Sequence, residues 1–185
     1  MYHIKNDKRA QASSELICAG LLACMKEKPF ARITITDVQH ASTVSRSTFY
    51  RNFDCLEDVL ALLCDRGFQA VFTEYNALPP AQRGSLAKTV FQYWFRNSAV
   101  LEALVQIHRT DILFDSLRRS SGLIEVLQPL ADNPARFDYF VAIITSAMIG
   151  VLTVWVEHGK TETEDQMVQK LTSAFIEMAI LELPG

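Results

Sequence analysis

Apolar positions recur at helical spacing almost from end to end of the chain. Ile17, Leu21 and Cys24 stand at i, i+4 and i+7 with Leu16 and Gly20 beside them, and Asn6 or Asp7 can cap a helix reaching about Glu27. Pro29 breaks it. Thr34 then caps a short helix with Asp37 at capping-box spacing, Asp standing in for Glu, and Ile35, Val38 and Ala41 turn inward. Ser42-Thr43-Val44 forms a tight connection to a second short helix, from about Ser45 to Phe53. Cys55 to about Asn76 reads as a longer helix ended by Leu78-Pro79-Pro80. Further helices are predicted near 85–97, 99–107, 111–128, 135–158 and 163–181, about nine in all. Gly122, the segment 128–134 and His158-Gly159-Lys160 supply the punctuation. No segment alternates in the manner of a strand, and there is no internal repeat or low-complexity tract, so the chain is read as all-α.

Composition supports a folded helical protein. Of 185 residues 49% are hydrophobic and 21% charged, enough apolar material for a core. Net charge is −3, which gives no global attraction to nucleic acid, yet its distribution is uneven. Residues 1–53 carry eight Lys/Arg against four Asp/Glu, whereas the rest carries 10 against 17. A basic head on an acidic body suits a DNA reader with a separate partner or ligand unit, and a small excess of this size also arises by chance. Cys18, Cys24, Cys55 and Cys64 form no CxxC and read as reduced structural thiols of a cytoplasmic protein. The polar N-terminus is not a secretory signal. Tyr139–Val156 runs 18 residues without a charge, the lower edge of a membrane span. It has no flanking Lys/Arg cluster, it contains Thr145, Ser146 and Thr153, and it has no second span beside it. It is read as a buried helix, with no membrane partner.

Two short helices joined by a three- or four-residue turn make a helix-turn-helix, and the second is the right size for the DNA major groove. Phe49 and Phe53, four apart, can anchor it to the core, while Ser47, Thr48, Tyr50 and Arg51 project from the other side. Arg46 sits in the first turn. Arg offers paired donors to guanine, and hydroxyls with helix-start N–H groups hold phosphates. The same set fits a solvated surface equally well.

The segment TITDVQHASTVSRSTFYRNFDCLEDVL closely resembles the helix-turn-helix of TetR-type transcriptional regulators. Val44-Ser45-Arg46, Thr48-x-Tyr50-x-x-Phe53 and Glu57-Asp58-x-Leu60 match the family pattern, and EKPFARIT at 27–34 is similar to the segment preceding it. The likeness covers about residues 8–66; Trp155–Gly159 is similar to a C-terminal pattern of one TetR subgroup. Four positions depart from the pattern. Gln39 replaces a small residue, Thr43 a glycine, Asn52 an aromatic or His, and Leu56 a lysine. Thr43 in a left-handed turn would cost on the order of 1 kcal/mol relative to Gly, and Leu56 removes a phosphate contact.

The resemblance implies an all-α protein with a helix-turn-helix DNA-binding domain at 1–54 (motif 34–53) and a helical effector-binding and dimerisation domain at 55–185. It implies double-stranded operator DNA as partner, contacted by Thr34, Thr36, Ser45, Arg46, Ser47, Thr48, Tyr50, Arg51 and Asn52. It further implies a homodimer and a small-molecule effector that releases a repressor from its operator. Ala142, Ser146 and Gly150 recur at i, i+4 and i+8, a strip of small residues that fits a partner subunit's helix or packing within the monomer. Phe91, Trp94, His108 and Trp155 are candidates for an apolar effector pocket, although aromatic stripes are more often plain core. His3, His40, His108 and His158 have no metal-ligand spacing. With no GxGxxG, GxxxxGK[ST] or GxSxG, no enzyme, metal or cofactor is expected. The alternative is a partner-dependent helical co-regulator or interaction protein without autonomous DNA binding.

Overall fold

Local capping chemistry decides where the first elements begin. In a computed structural model, described for residues 2–128 and 134–181, Asp7 Oδ1 accepts the Ala10 N–H at 2.8 Å and starts helix α1 (Lys8–Glu27). A single 3₁₀ turn at Phe30–Arg32 follows the break at Pro29. Thr34 and Asp37 then exchange side-chain-to-backbone bonds at the head of α2 (Ile35–Ser42), the expected capping box. The Lys28 ammonium, 2.7 Å away, and then the Thr34 hydroxyl and N–H hold the Asp37 carboxyl well below the usual carboxylate range. A group depressed in this way stabilises the fold above its unfolded value near pH 4, and loses that contribution as pH falls further. Asp37→Ala should therefore lower the melting temperature at pH 7. The gap from wild type should begin to narrow below pH 4 and still be largely present at pH 3 in thermal unfolding followed by circular dichroism, and a gap independent of pH would remove the charge from this account.

Thr43 closes α2 in the left-handed conformation, φ +56°, the strained turn the sequence implies. Helix α3 (Arg46–Asn52) starts from Ser45, whose hydroxyl accepts the Thr48 N–H. Helix α4 (Leu56–Ala77) follows directly. Gly20 on α1 is required by packing, because a Cβ there would lie 2.8 Å from Ser42 Cβ on α2. Ser42 faces inward and Ala41 is exposed, the reverse of the spacing argument for Ala41, and Leu16 likewise stays 51% exposed.

The remaining helices are α5 (Leu86–Arg96), α6 (Ser98–Gln106), α7 (Thr110–Arg119), α8 (Ser121–Leu127), α9 (Pro134–Glu157) and α10 (Glu164–Leu181). The described residues thus form ten α-helices and no strand, against the nine expected. The extra one arises because the predicted 111–128 helix breaks at Ser120, whose backbone is extended at ψ 116°. One apolar core runs without a gap from Ile17 on α1 to Met167 on α10. Helix α4 is its spine. It packs on α1 at one end and on α5 to α8 along the rest, and Arg66 ties it back to α1 through Ser14 Oγ at 3.0 Å. All four cysteines are free thiols, and burial pushes Cys18 up to about 11.

Helix α9 is long and apolar enough to cross a membrane by composition. Its two faces differ, however. Val141, Thr145, Met148, Ile149, Leu152 and Trp155 are buried in the body. The other face borders α10.

Candidate nucleic-acid interface

Helix α3 is held from beneath by Phe49 and Phe53, 1% and 0% exposed with ring centroids 5.7 Å apart. This anchoring leaves Arg46, Ser47, Tyr50 and Arg51 exposed. The hydroxyls at the start of the helix form a local network, with Ser45 Oγ 3.1 Å from Ser47 Oγ and 2.9 Å from Thr48 Oγ1. Arg51 Nη2 donates to Thr48 Oγ1 at 2.8 Å, and the Arg46 guanidinium lies 5.6 Å from the Tyr50 ring centroid. Among the described residues no carboxylate pairs with Arg46 or Arg51, so both cations face outward uncompensated. Thr34 and Thr36 are exposed in the first turn of α2.

Asn52 does not join this surface. It is 2% exposed and donates Nδ2 to the Thr48 carbonyl at 2.8 Å, a bond made inside the helix–core contact. Leu56, 8% exposed, is likewise a core residue, and the first turn of α4 presents Glu57 instead of a cation. Spacing reasoning missed Lys5 and Arg9. With Ser13, Thr48 and Arg51 they line a groove of about 520 Å³ between the start of α1 and α3. Their charge was visible in the basic head of the sequence, but their place beside α3 depends on how α1 packs.

The residues proposed for an apolar pocket do not come together. Phe91 and Trp94 are solid core, Trp94 against Phe68 at 5.2 Å, while Trp155 stacks on Phe95 at 4.0 Å and donates Nε1 to the Glu162 carbonyl. His108 is exposed at the α6–α7 junction with φ +55°. Aromatic stripes here are packing.

Ala142, Ser146 and Gly150 do share a surface. They lie along an open groove of about 600 Å³ between α9 and α10, with Leu171, Ala174 and Met178 on the opposite wall. A Cβ built on Gly150 meets nothing within 4 Å, so among the described residues no helix packs on the strip there. Two large apolar side chains on its walls are exposed, Ile143 on α9 and Met178 on α10, and Tyr139, Val154, Ile176 and Ile180 are exposed elsewhere on the same two helices.

Residues 85–177 match the family model of the TetR-type transcriptional regulator C-terminal region. Among solved structures the chain is similar to Lin0861 of Listeria innocua, with TM-score 0.74 and 17% identity over 95% of this chain and 96% of that one. It is similar to a TetR-family transcriptional regulator from Syntrophomonas wolfei (TM-score 0.65, 18% identity, 94% and 97% of the two chains). A TetR transcriptional regulator from Streptococcus agalactiae shares the fold at TM-score 0.60 and 18% identity, covering 91% and 96%. No curated protein matches the chain in sequence.

Proposed function

The chain belongs to the TetR family of transcriptional regulators, and on that premise we propose that it binds operator DNA as a homodimer and acts as a repressor released by a small-molecule effector. Residues 1–54 read the DNA and residues 55–185 dimerise and sense, in the cytoplasm where the DNA is. The observation that carries the reading is the outer face of α3. It offers Arg46, Ser47, Tyr50 and Arg51 on a rigidly anchored helix, beside a groove containing Lys5 and Arg9. Arg46 in the first turn reaches base edges, while Tyr50, Ser45, Thr34 and Thr36 hold phosphates. Since one helix covers few base pairs, two copies about 34 Å apart are needed for a specific site. Helix α4 connects reader to sensor, because it follows α3 directly and runs through the body.

Sequencing of genomic fragments captured by the protein would identify the operator. On that operator, Arg46→Ala should cost about 1–3 kcal/mol and relax base preference. Tyr50→Phe should weaken binding evenly across sequences, since a phosphate contact carries no base information. Binding of both variants equal to wild type would overturn the assignment.

A second reading has its own observation. Asn52 and Leu56 are buried and Glu57 flanks the recognition helix, so the end of α3 gives phosphates no cation beyond Arg51. A co-regulator acting through a protein partner would show no salt-dependent affinity for DNA at all.

A further inference from the structure

The last four carbonyls of any helix have no donor within it, and α3 is no exception. Two of them are met by the arm that precedes α1. The His3 N–H donates to the Asn52 carbonyl at 3.0 Å, and His3 Nε2 lies 3.3 Å from the Tyr50 carbonyl. A carbonyl only accepts, so in that contact the ring hydrogen sits on Nε2. His3 thus caps the C-terminal end of the recognition helix from a distant stretch of chain. Helix α3 spans 7 residues and cannot persist on propensity, so support at its open end matters. Tyr50 and Arg51, assigned above to DNA, stand in the turn that His3 caps.

The arm is fastened on both sides of His3. Tyr2 and Ile4 are half-buried and pack against the core, while the His3 side chain between them is exposed. Tyr2 also donates its phenol O–H to Asp65 Oδ2 on α4 at 2.5 Å. Burial, with the bond to Asp65 second, pushes the Tyr2 phenol up to about 12, so it remains a donor at neutral pH. Asp65 is itself held. Its other oxygen, Oδ1, accepts from Ser116 Oγ and lies 3.5 Å from the Arg119 guanidinium, both on α7. The arm therefore grips a carboxylate fixed between two helices of the body. A separate tie, Arg66 Nη2 to Ser14 Oγ, holds α1 to α4 and does not reach α3.

We propose that the N-terminal arm is a positioning part of the DNA reader: His3 caps the recognition helix, and Tyr2, gripping Asp65, keeps that cap in place against the body. Both are positioning residues that act on DNA through Tyr50 and Arg51. The inference rests on the DNA-binding reading above and adds two residues to it. A loosened arm lets the last turn of α3 fray, and the loosening reaches Tyr50 and Arg51 before it reaches Arg46 in the first turn. Affinity then falls evenly across sequences while the base preference set by Arg46 is kept.

Amide hydrogen exchange on the free full chain, resolved by NMR, tests the cap without DNA. Tyr2→Phe keeps the ring and removes the grip. His3→Ala removes the ring donor, and His3→Gln restores one, since the Gln amide nitrogen is as many bonds from Cα as His Nε2. In Tyr2→Phe the amides of His3, Asn52 and Phe53 should exchange roughly three- to tenfold faster, the effect of losing one or two hydrogen bonds. His3→Ala should do the same at Asn52 and Phe53, and His3→Gln should return them toward wild type. Exchange in α9, which packs on α6, α7 and α10, should not change. On the captured operator, Tyr2→Phe should weaken binding by a similar factor with the wild-type base preference intact. Wild-type exchange at Asn52 and Phe53 in both Tyr2→Phe and His3→Ala overturns the proposal, and if operator binding still falls in those variants, the arm touches DNA itself. Exchange raised equally in α9 overturns it too, because the arm would then support the fold in general. So does an unchanged operator affinity beside faster exchange. If the wild-type chain captures no operator, the DNA-binding reading fails by itself, and exchange still decides whether the arm caps α3.

Discussion

Phe49→Ala should cost the protein about 3–5 kcal/mol and abolish the proposed operator binding, the largest stability effect expected at any residue of helix α3. Phe49 is 1% exposed and meets Phe53 at 5.7 Å and Tyr50 at 5.6 Å edge to face. It belongs to the same continuous core as the buried Ile17 and Leu21 of α1 and Val38 of α2. Helix α3 spans only 7 residues, too short to persist on propensity, so its orientation depends on these two rings. Removal of one leaves a cavity under the helix and takes a large share of a total stability near 5–15 kcal/mol. Urea unfolding monitored by circular dichroism gives the number. Phe49→Leu, which restores apolar bulk, should recover part of the loss. A loss below about 1 kcal/mol in Phe49→Ala would mean that the ring is not what seats the helix.

The parts of this fold that were legible in the sequence are those whose determinants are local. Asp7, Thr34 and Ser45 each satisfy backbone donors three residues on, so the starts of α1, α2 and α3 follow from residue type alone. The Phe49/Phe53 pair is legible for the same reason, since i and i+4 share a helical face. What was not legible depends on distant packing. Nothing in the run Arg118–Ser121 forbids a continuous helix; α7 stops because α8 must turn to lay Gly122 against Phe72. Asn52 reads as a surface amide, but the entry of Phe53 into the core carries it inward. Trp94 and Trp155 attract attention as ligand-binding aromatics and prove to be core. Tyr2, Asp65 and Arg119 are far apart in sequence and meet only when the arm, α4 and α7 pack together.

In the homodimer proposed above, Gly150→Leu should separate the subunits into folded monomers. The reasoning begins with an open surface. Gly150 faces a groove of about 600 Å³, a Cβ there meets nothing within 4 Å, and Ile143 and Met178 on its walls are exposed by 53% and 58%. A contiguous apolar face of this kind on two adjacent helices is costly in water and is covered in a stable assembly. A second copy related by a two-fold axis can cover it with the same surface, each α9–α10 pair against the other. Small residues at 142, 146 and 150 let the helices approach closely, and a leucine at the third would hold them apart. Within its own chain the new side chain projects into open space, so the melting temperature at low concentration should hold within a few degrees. Light scattering coupled to size exclusion should then report half the wild-type mass with helicity intact. Operator affinity should fall by roughly 10²–10⁴, because two tethered recognition helices bind with an advantage that one does not have. A variant that remains dimeric and melts far earlier would instead show that the groove is closed by the chain itself.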